Sequence, residues 1–218
     1  MRARSPALNY VFAICGLLAS VGDFIVTFLL GHFYPGYDFV YQSESFLGTS
    51  ESPVAPYMNT WGVIFFLLLS IFAYGLHKTI FRGSRWQAVG VACIFLYGLG
   101  EGAGSGLFPY DHINGALTTS GILHSLFGGL AGFSIALAPF AGTKIFSSNL
   151  SPRMNAYSWT VFVSGLILII VFLVSERGLI SYKGFWQRIF ILDYHLYLLV
   201  LAVLMTENKS RTESSPQR

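Results

Sequence analysis

Six long apolar stretches alternate with short polar ones along this chain. They run roughly over 8–31, 60–77, 88–108, 119–142, 157–175 and 188–205. Pro, Gly, Asn or charged residues bound each one, the usual punctuation between elements. A helix that crosses a bilayer needs about 20 mostly apolar residues. The pattern predicts an all-α fold, a polytopic membrane helix bundle with six transmembrane helices in a single domain over 1–205. The remaining stretch, TENKSRTESSPQR over 206–218, is polar and predicted to be a disordered cytoplasmic tail.

Composition narrows the class. Hydrophobic residues make up 54% of the chain and charged residues 11%, against about 25% charged in soluble domains. The net charge of +3 is spread over loops, so no basic face for nucleic acid is built. Membrane lipids are the expected partners, and the cell membrane is the expected location. Cys15 and Cys93 both fall in apolar segments and read as small packing residues. The first 22 residues also resemble a signal peptide, with a basic head and small residues at Ser20 and Gly22. Apolar sequence resumes at once with FIVTFLL, which favours a retained helix.

Lys and Arg in short loops set orientation. Arg2 and Arg4 precede helix 1, and Lys78, Arg82 and Arg85 lie between helices 2 and 3. Lys144 and Arg153 lie between helices 4 and 5, and Lys209, Arg211 and Arg218 follow helix 6. With six spans these groups share one side, so both termini are expected to be cytoplasmic. The sequons at Asn149 and Asn208 fall on that same side and should be unused. The first outer loop, His32 to Asn59, has no Lys or Arg. The third outer loop, SERGLISYKGFWQR, is the exception, with Arg177, Lys183 and Arg188. These are either snorkelling side chains or, for Arg177 and Lys183, a site for an anionic headgroup.

Helical spacing then places the polar residues by depth. At about 1.5 Å per residue, Asp23 lies roughly 12 Å below the outer rim and Glu101 about 10 Å. His124 lies roughly 8 Å inside helix 4 and His195 about 10 Å inside helix 6, with Asp193 slightly shallower. All five occupy the outer half. Gly16, Ser20, Asp23 and Thr27 share a stripe of helix 1, and Ser120, His124, Gly128 and Gly132 share one of helix 4. Helix 3 carries Gly98, Gly102 and Gly106 in a ladder, with Gly100 and Gly104 beside it. Such ladders let helices approach closely, within the chain or in a homo-oligomer. Asp193 and His195 point to opposite faces, and His195 is expected to face the centre. Trp61, Trp86, Trp159 and Trp186 read as interface anchors. His32 and His77 read as solvated or interfacial.

Ionisable groups inside a membrane point to function. Imidazoles with carboxylates can ligate zinc, so His124, His195 and Asp111 form a candidate metal set, with Glu101 and His112 as further donors and zinc as the cofactor. No HExxH pair is present. The metal-free alternative makes His124 a general base oriented by Asp111 or Glu101, with Ser45 as nucleophile or hydrogen-bond donor. The same pairs can also simply join helices. Enzyme, lipid binder, transporter and structural subunit all remain open at this point, the first as a hydrolase of a lipid or other amphiphile.

Several short motifs recur in order. The first outer loop, YPGYDFVYQSESFLGTSESPVAPYMNTW, carries Tyr37, Ser45, Leu47, Gly48, Ser52, Pro53 and Asn59. GLFPYD and SGILH follow, and GFWQRIFI comes last. Together they resemble the multispanning membrane family known as domain of unknown function 998, over most of the chain. Gln187 stands where that pattern usually has Glu, and His112 stands where Pro is common. The resemblance implies six helices and shared positions at Ser45, Asp111 and His124. It implies no activity. A looser likeness, of residue types alone, links the chain to alkaline ceramidases, whose paired-His motif is missing here. The turn from Phe108 to Thr119 is expected to place Asp111 above His124, with Thr118 to Ser120 capping helix 4. The Ser45 loop should roof a polar pocket.

Overall fold

A computed structural model describes residues 6–81, 85–149 and 151–207. The terminal charges at Arg2, Arg4, Lys209, Arg211 and Arg218, with Arg82 and the sequon at Asn208, lie outside those residues. So does most of the predicted tail.

Among the described residues, six helices are long and apolar enough to cross a membrane. They are α1 (Pro6–His32), α2 (Ala55–Lys78), α3 (Trp86–Leu107), α4 (Thr119–Ile145), α5 (Pro152–Glu176) and α6 (Lys183–Glu207). The chain is an integral multi-pass membrane protein by this architecture. Each helix packs on the next in sequence, and α6 returns to α1, so the bundle is a closed ring. Large buried side chains, among them Phe65, Phe72, Ile135, Tyr194 and Tyr197, fill its interior. Exposed Ile25, Leu29, Leu67 and Ile170 clothe the outside, as suits a surface in lipid.

Three helices begin about five residues earlier than the apolar pattern places them. Pro sits in the first turn of α2 and of α5, where its missing N–H is no loss. Apolarity marks the hydrocarbon, and a helix can extend past it. In α6 the earlier start puts Lys183, Gln187 and Arg188 on the helix rather than in a loop.

Helix α3 is regular only to Tyr97; Gly98–Gly104 forms a π-helical segment. Its two glycine rows serve two neighbours. A side chain on Gly62 or Gly102 would strike the other's backbone across the α2–α3 contact, and one on Gly100 or Gly104 would strike Phe127 on α4. These faces are therefore used within the chain.

Between α3 and α4 lies a two-stranded hairpin, β1 (His112–Ile113) and β2 (Ala116–Leu117), rather than a plain turn. Asn114 and Gly115 both have positive φ, the condition for a tight two-residue hairpin turn. Thr118 then caps α4, its side chain accepting from the Gly121 amide at 3.1 Å.

Candidate functional site

Helix α6 holds the first loop in place over one end of the bundle. Arg188 is buried, and its guanidinium donates to the carbonyls of Phe39 (2.7 Å), Gln42 (3.2 Å) and Gly184 (2.9 Å) and to the Tyr37 hydroxyl (2.7 Å). The Phe185 amide donates to the Val40 carbonyl, and the Glu44 amide to Gln187 Oε1 at 2.7 Å. Arg188 is thus a clamp on the loop, neither a snorkelling charge nor a headgroup site. The Glu44 carboxyl faces Arg188 Nε at 3.6 Å, too far for a hydrogen bond. Burial, then the Asp23 carboxylate, push it up from 4.5 to about 8, against the pull of Arg188.

The clamped loop presents a one-turn 3-10 helix, Glu44–Gly48. Leu47 is fully buried, and the Gly48 backbone abuts the Asn59 side chain. Ser45 therefore points down with its position fixed. Its Oγ lies 3.1 Å from His124 Nε2, while His124 Nδ1 lies 2.8 Å from the Phe108 carbonyl oxygen. A carbonyl can only accept, so Nδ1 carries the proton. Nε2 is then the acceptor, and the Ser45 hydroxyl donates to it. Pro109 ends α3, and the Ser120 hydroxyl returns to its carbonyl at 3.0 Å, which holds the Phe108 turn against α4.

Ser45 and His124 open on a cavity of about 490 Å³ between α3, α4, α5 and α6. Ligand sites commonly measure about 300–1,000 Å³. Glu101, carried on the π segment, also lines it; π-bulges recur at functional sites. Gln187 lines it too. Its Oε1 accepts from the Glu44 amide, so its NH₂ remains as a donor. Above the cavity, Lys183 pairs with Glu176 at 2.6 Å, and the Tyr110 hydroxyl donates to Glu176 at 3.1 Å.

Loop, turn and helix motifs thus meet at one end of the bundle, in the order in which the sequence carries them. The family described as "Protein of unknown function (DUF998)" matches residues 17–204. The chain belongs to that family. Neither a curated protein nor a solved structure matches it.

Within this DUF998 chain, the candidate residues divide. Ser45, His124 and Glu101 share the cavity. Asp111 does not orient His124. Its carboxylate accepts from the Ser50 amide at 2.8 Å and from the Ser50 hydroxyl, so it ties the first loop to the hairpin turn. The proposed metal set is also not assembled. His195 is on the far side of Tyr97, Asp111 is held by Ser50, and among the described residues no three His, Cys, Asp or Glu side chains gather. His112 is exposed on the hairpin. Lys183 reaches the mouth but is paired there, and Arg177 is not in the lining.

His195 does face the centre, and Asp193 turns away to accept from the Ser164 hydroxyl at 2.9 Å. His195 Nε2 meets the Tyr97 hydroxyl at 2.8 Å and Nδ1 the Ser20 carbonyl at 3.1 Å. Asp23 accepts from Trp61 Nε1 at 2.8 Å. Trp61 is therefore a partner of a buried carboxyl rather than an interface anchor. Tyr97, Gln187 and the Phe108 carbonyl were not legible as site groups. Only the shared position of Gln187 in the last motif pointed toward any of them.

Proposed function

We propose that this protein is a membrane hydrolase of an amphiphile, with Ser45 as nucleophile and His124 as general base. The observation that carries the reading is the Ser45–His124–Phe108 carbonyl chain at the head of a largely apolar cavity. A nucleophile, a base within reach and a third group that orients the base are the parts such chemistry needs. Ser45 Oγ attacks the substrate's acyl carbon while Nε2 takes its proton. The bond to the leaving group breaks, and His124 returns the proton to it. Water, activated by the same nitrogen, then releases the acyl group from Ser45. The Gln187 amide is a donor for the oxygen on which charge develops, and Glu101 supplies an acceptor deeper in the cavity.

A fluorophosphonate probe applied to membranes tests this. Labelling mapped to Ser45, and lost in folded Ser45→Ala and His124→Ala proteins, is the expected result. Labelling that persists in Ser45→Ala sinks it. The second reading is a non-catalytic lipid-binding component. It is favoured by one observation: the group that orients His124 is a carbonyl rather than a carboxylate. Under that reading a lipid stays bound to the wild type, and the chain shows no turnover.

A further inference from the structure

Helices α4 and α5 are joined at one end and apart at the other. On the side away from the Ser45 loop, the Asn155 side chain donates to the Thr143 carbonyl at 2.7 Å, and Phe140 packs on Trp159 and Phe162. Gly142 there abuts the Tyr197 hydroxyl. Pro139, which cannot donate to the turn before it, ends this seam on α4. Toward the loop the seam gives way to the cavity. Gly128, Gly129 and Gly132 line it, and a side-chain carbon built on any of them would touch nothing within 4 Å. Unlike the glycines of α3, these three leave space open.

Polarity is ordered along the cavity. On α4 the lining runs from His124 to Ala136, on α5 from Glu176 to Leu166, and on α6 from Lys183 to Ile191. Each wall is polar at the loop end and apolar at depth. These walls extend about 12–18 Å at 1.5 Å per residue. A straight hydrocarbon chain of roughly 10–14 carbons has that length, with C–C bonds near 1.5 Å. The cavity also reaches lipid sideways. Phe133, Leu166 and Leu173 line it, yet are 68%, 37% and 52% exposed on the bundle surface. The head of the cavity is poorly suited to an anion: Lys183 is already paired with Glu176 at 2.6 Å, so no lysine or arginine among the lining residues is left over to hold an anionic head.

We propose that the gap between α4 and α5 is a lateral slot for one linear hydrocarbon chain of a non-anionic amphiphile, its head held beside Ser45 and His124. The proposal names the substrate class for the hydrolase reading, but the slot stands whether or not Ser45 reacts.

The experiment uses the full chain in nanodiscs, as wild type and as Ser45→Ala, so that binding is read without turnover. Two photoreactive probes are compared, each with a diazirine at the end of a dodecyl chain: a monoacylglycerol and an alkyl phosphate. Crosslinked peptides are mapped by mass spectrometry. Expected in both proteins are adducts of the glycerol probe concentrated in 128–136 and 166–173, and in Ser45→Ala, where no turnover intervenes, at least tenfold above the phosphate probe. Gly132→Leu, which fills open space, should cut them at least tenfold, and Leu166→Trp does so from the opposite wall. Adducts spread evenly over all lipid-facing helices, or unchanged in both filling variants, would overturn the slot. Equal labelling by the two probes overturns the head-group selection. A wild type that does not react with fluorophosphonate at Ser45, with slot labelling intact, would reject the hydrolase alone.

Discussion

His124 and His195 make the same two hydrogen bonds. Each points Nδ1 at a backbone carbonyl, of Phe108 and Ser20, and each meets a hydroxyl at Nε2, of Ser45 and Tyr97. Their surroundings differ. His195 is 1% exposed, packed between Phe24 and Phe65 in the middle of the ring. His124 lines the cavity with its serine. The difference teaches that one donor–acceptor pattern can sit in two settings. What separates them is access, which here comes from glycines on α4 and from two helices that part. The closed pair does structural work, linking α1, α3 and α6 where an unsatisfied polar group would be costly.

The comparison breaks most sharply at the open pair. Ser45→Ala or His124→Ala should lower fluorophosphonate labelling at least about 100-fold, with thermal unfolding in detergent little changed for Ser45→Ala. His195→Ala should do the reverse. It empties a packed centre and strands the Tyr97 hydroxyl, lowering stability by about 2–4 kcal/mol, while the folded fraction still labels at Ser45. If His195→Ala instead removed labelling from folded protein, the two histidines would not be separate. Asp111→Asn should be milder, about 1–2 kcal/mol, because it weakens the tie to Ser50 without touching His124. Its signature is faster proteolysis within residues 33–54 and retained labelling.

The last contrast is a pH slope. The Glu44 carboxyl titrates near 8 in the folded chain and near 4.5 when unfolded. The folded chain therefore binds more protons between those values, and stability falls as pH rises through that window. Glu44→Gln should flatten the slope in unfolding measurements between pH 5 and 8. An unchanged slope would mean that Glu44 is not its source.

The architecture was legible because a bilayer allows few solutions: length and apolarity alone fix six spans, and period alone puts His195 and Asp193 on opposite faces. The site was legible in part. The motifs marked Ser45 and His124 only as shared positions, and in the fold the two lie 3.1 Å apart. What the chain does not write locally is which loop meets which. Ser50, with no marked feature of its own, takes the carboxylate expected beside His124. Arg188 reads as a loop charge, yet becomes a buried clamp because α6 begins before its apolar stretch. The glycines of α3 and α4 have the same spacing and opposite uses, since a small residue permits contact or vacancy equally. The Asn114–Gly115 pair, read only as part of a turn, closes a hairpin because both residues take positive φ.

The seam that joins α4 to α5 beyond Pro139 has a kinetic consequence. A slot closed at its deep end has no exit ahead of its occupant. On the hydrolase reading, a released acyl chain must back out along the path by which the next substrate arrives. Turnover would then show product inhibition by free chains of matching length, competitive with substrate, and it would deepen as the surrounding bilayer fills with them.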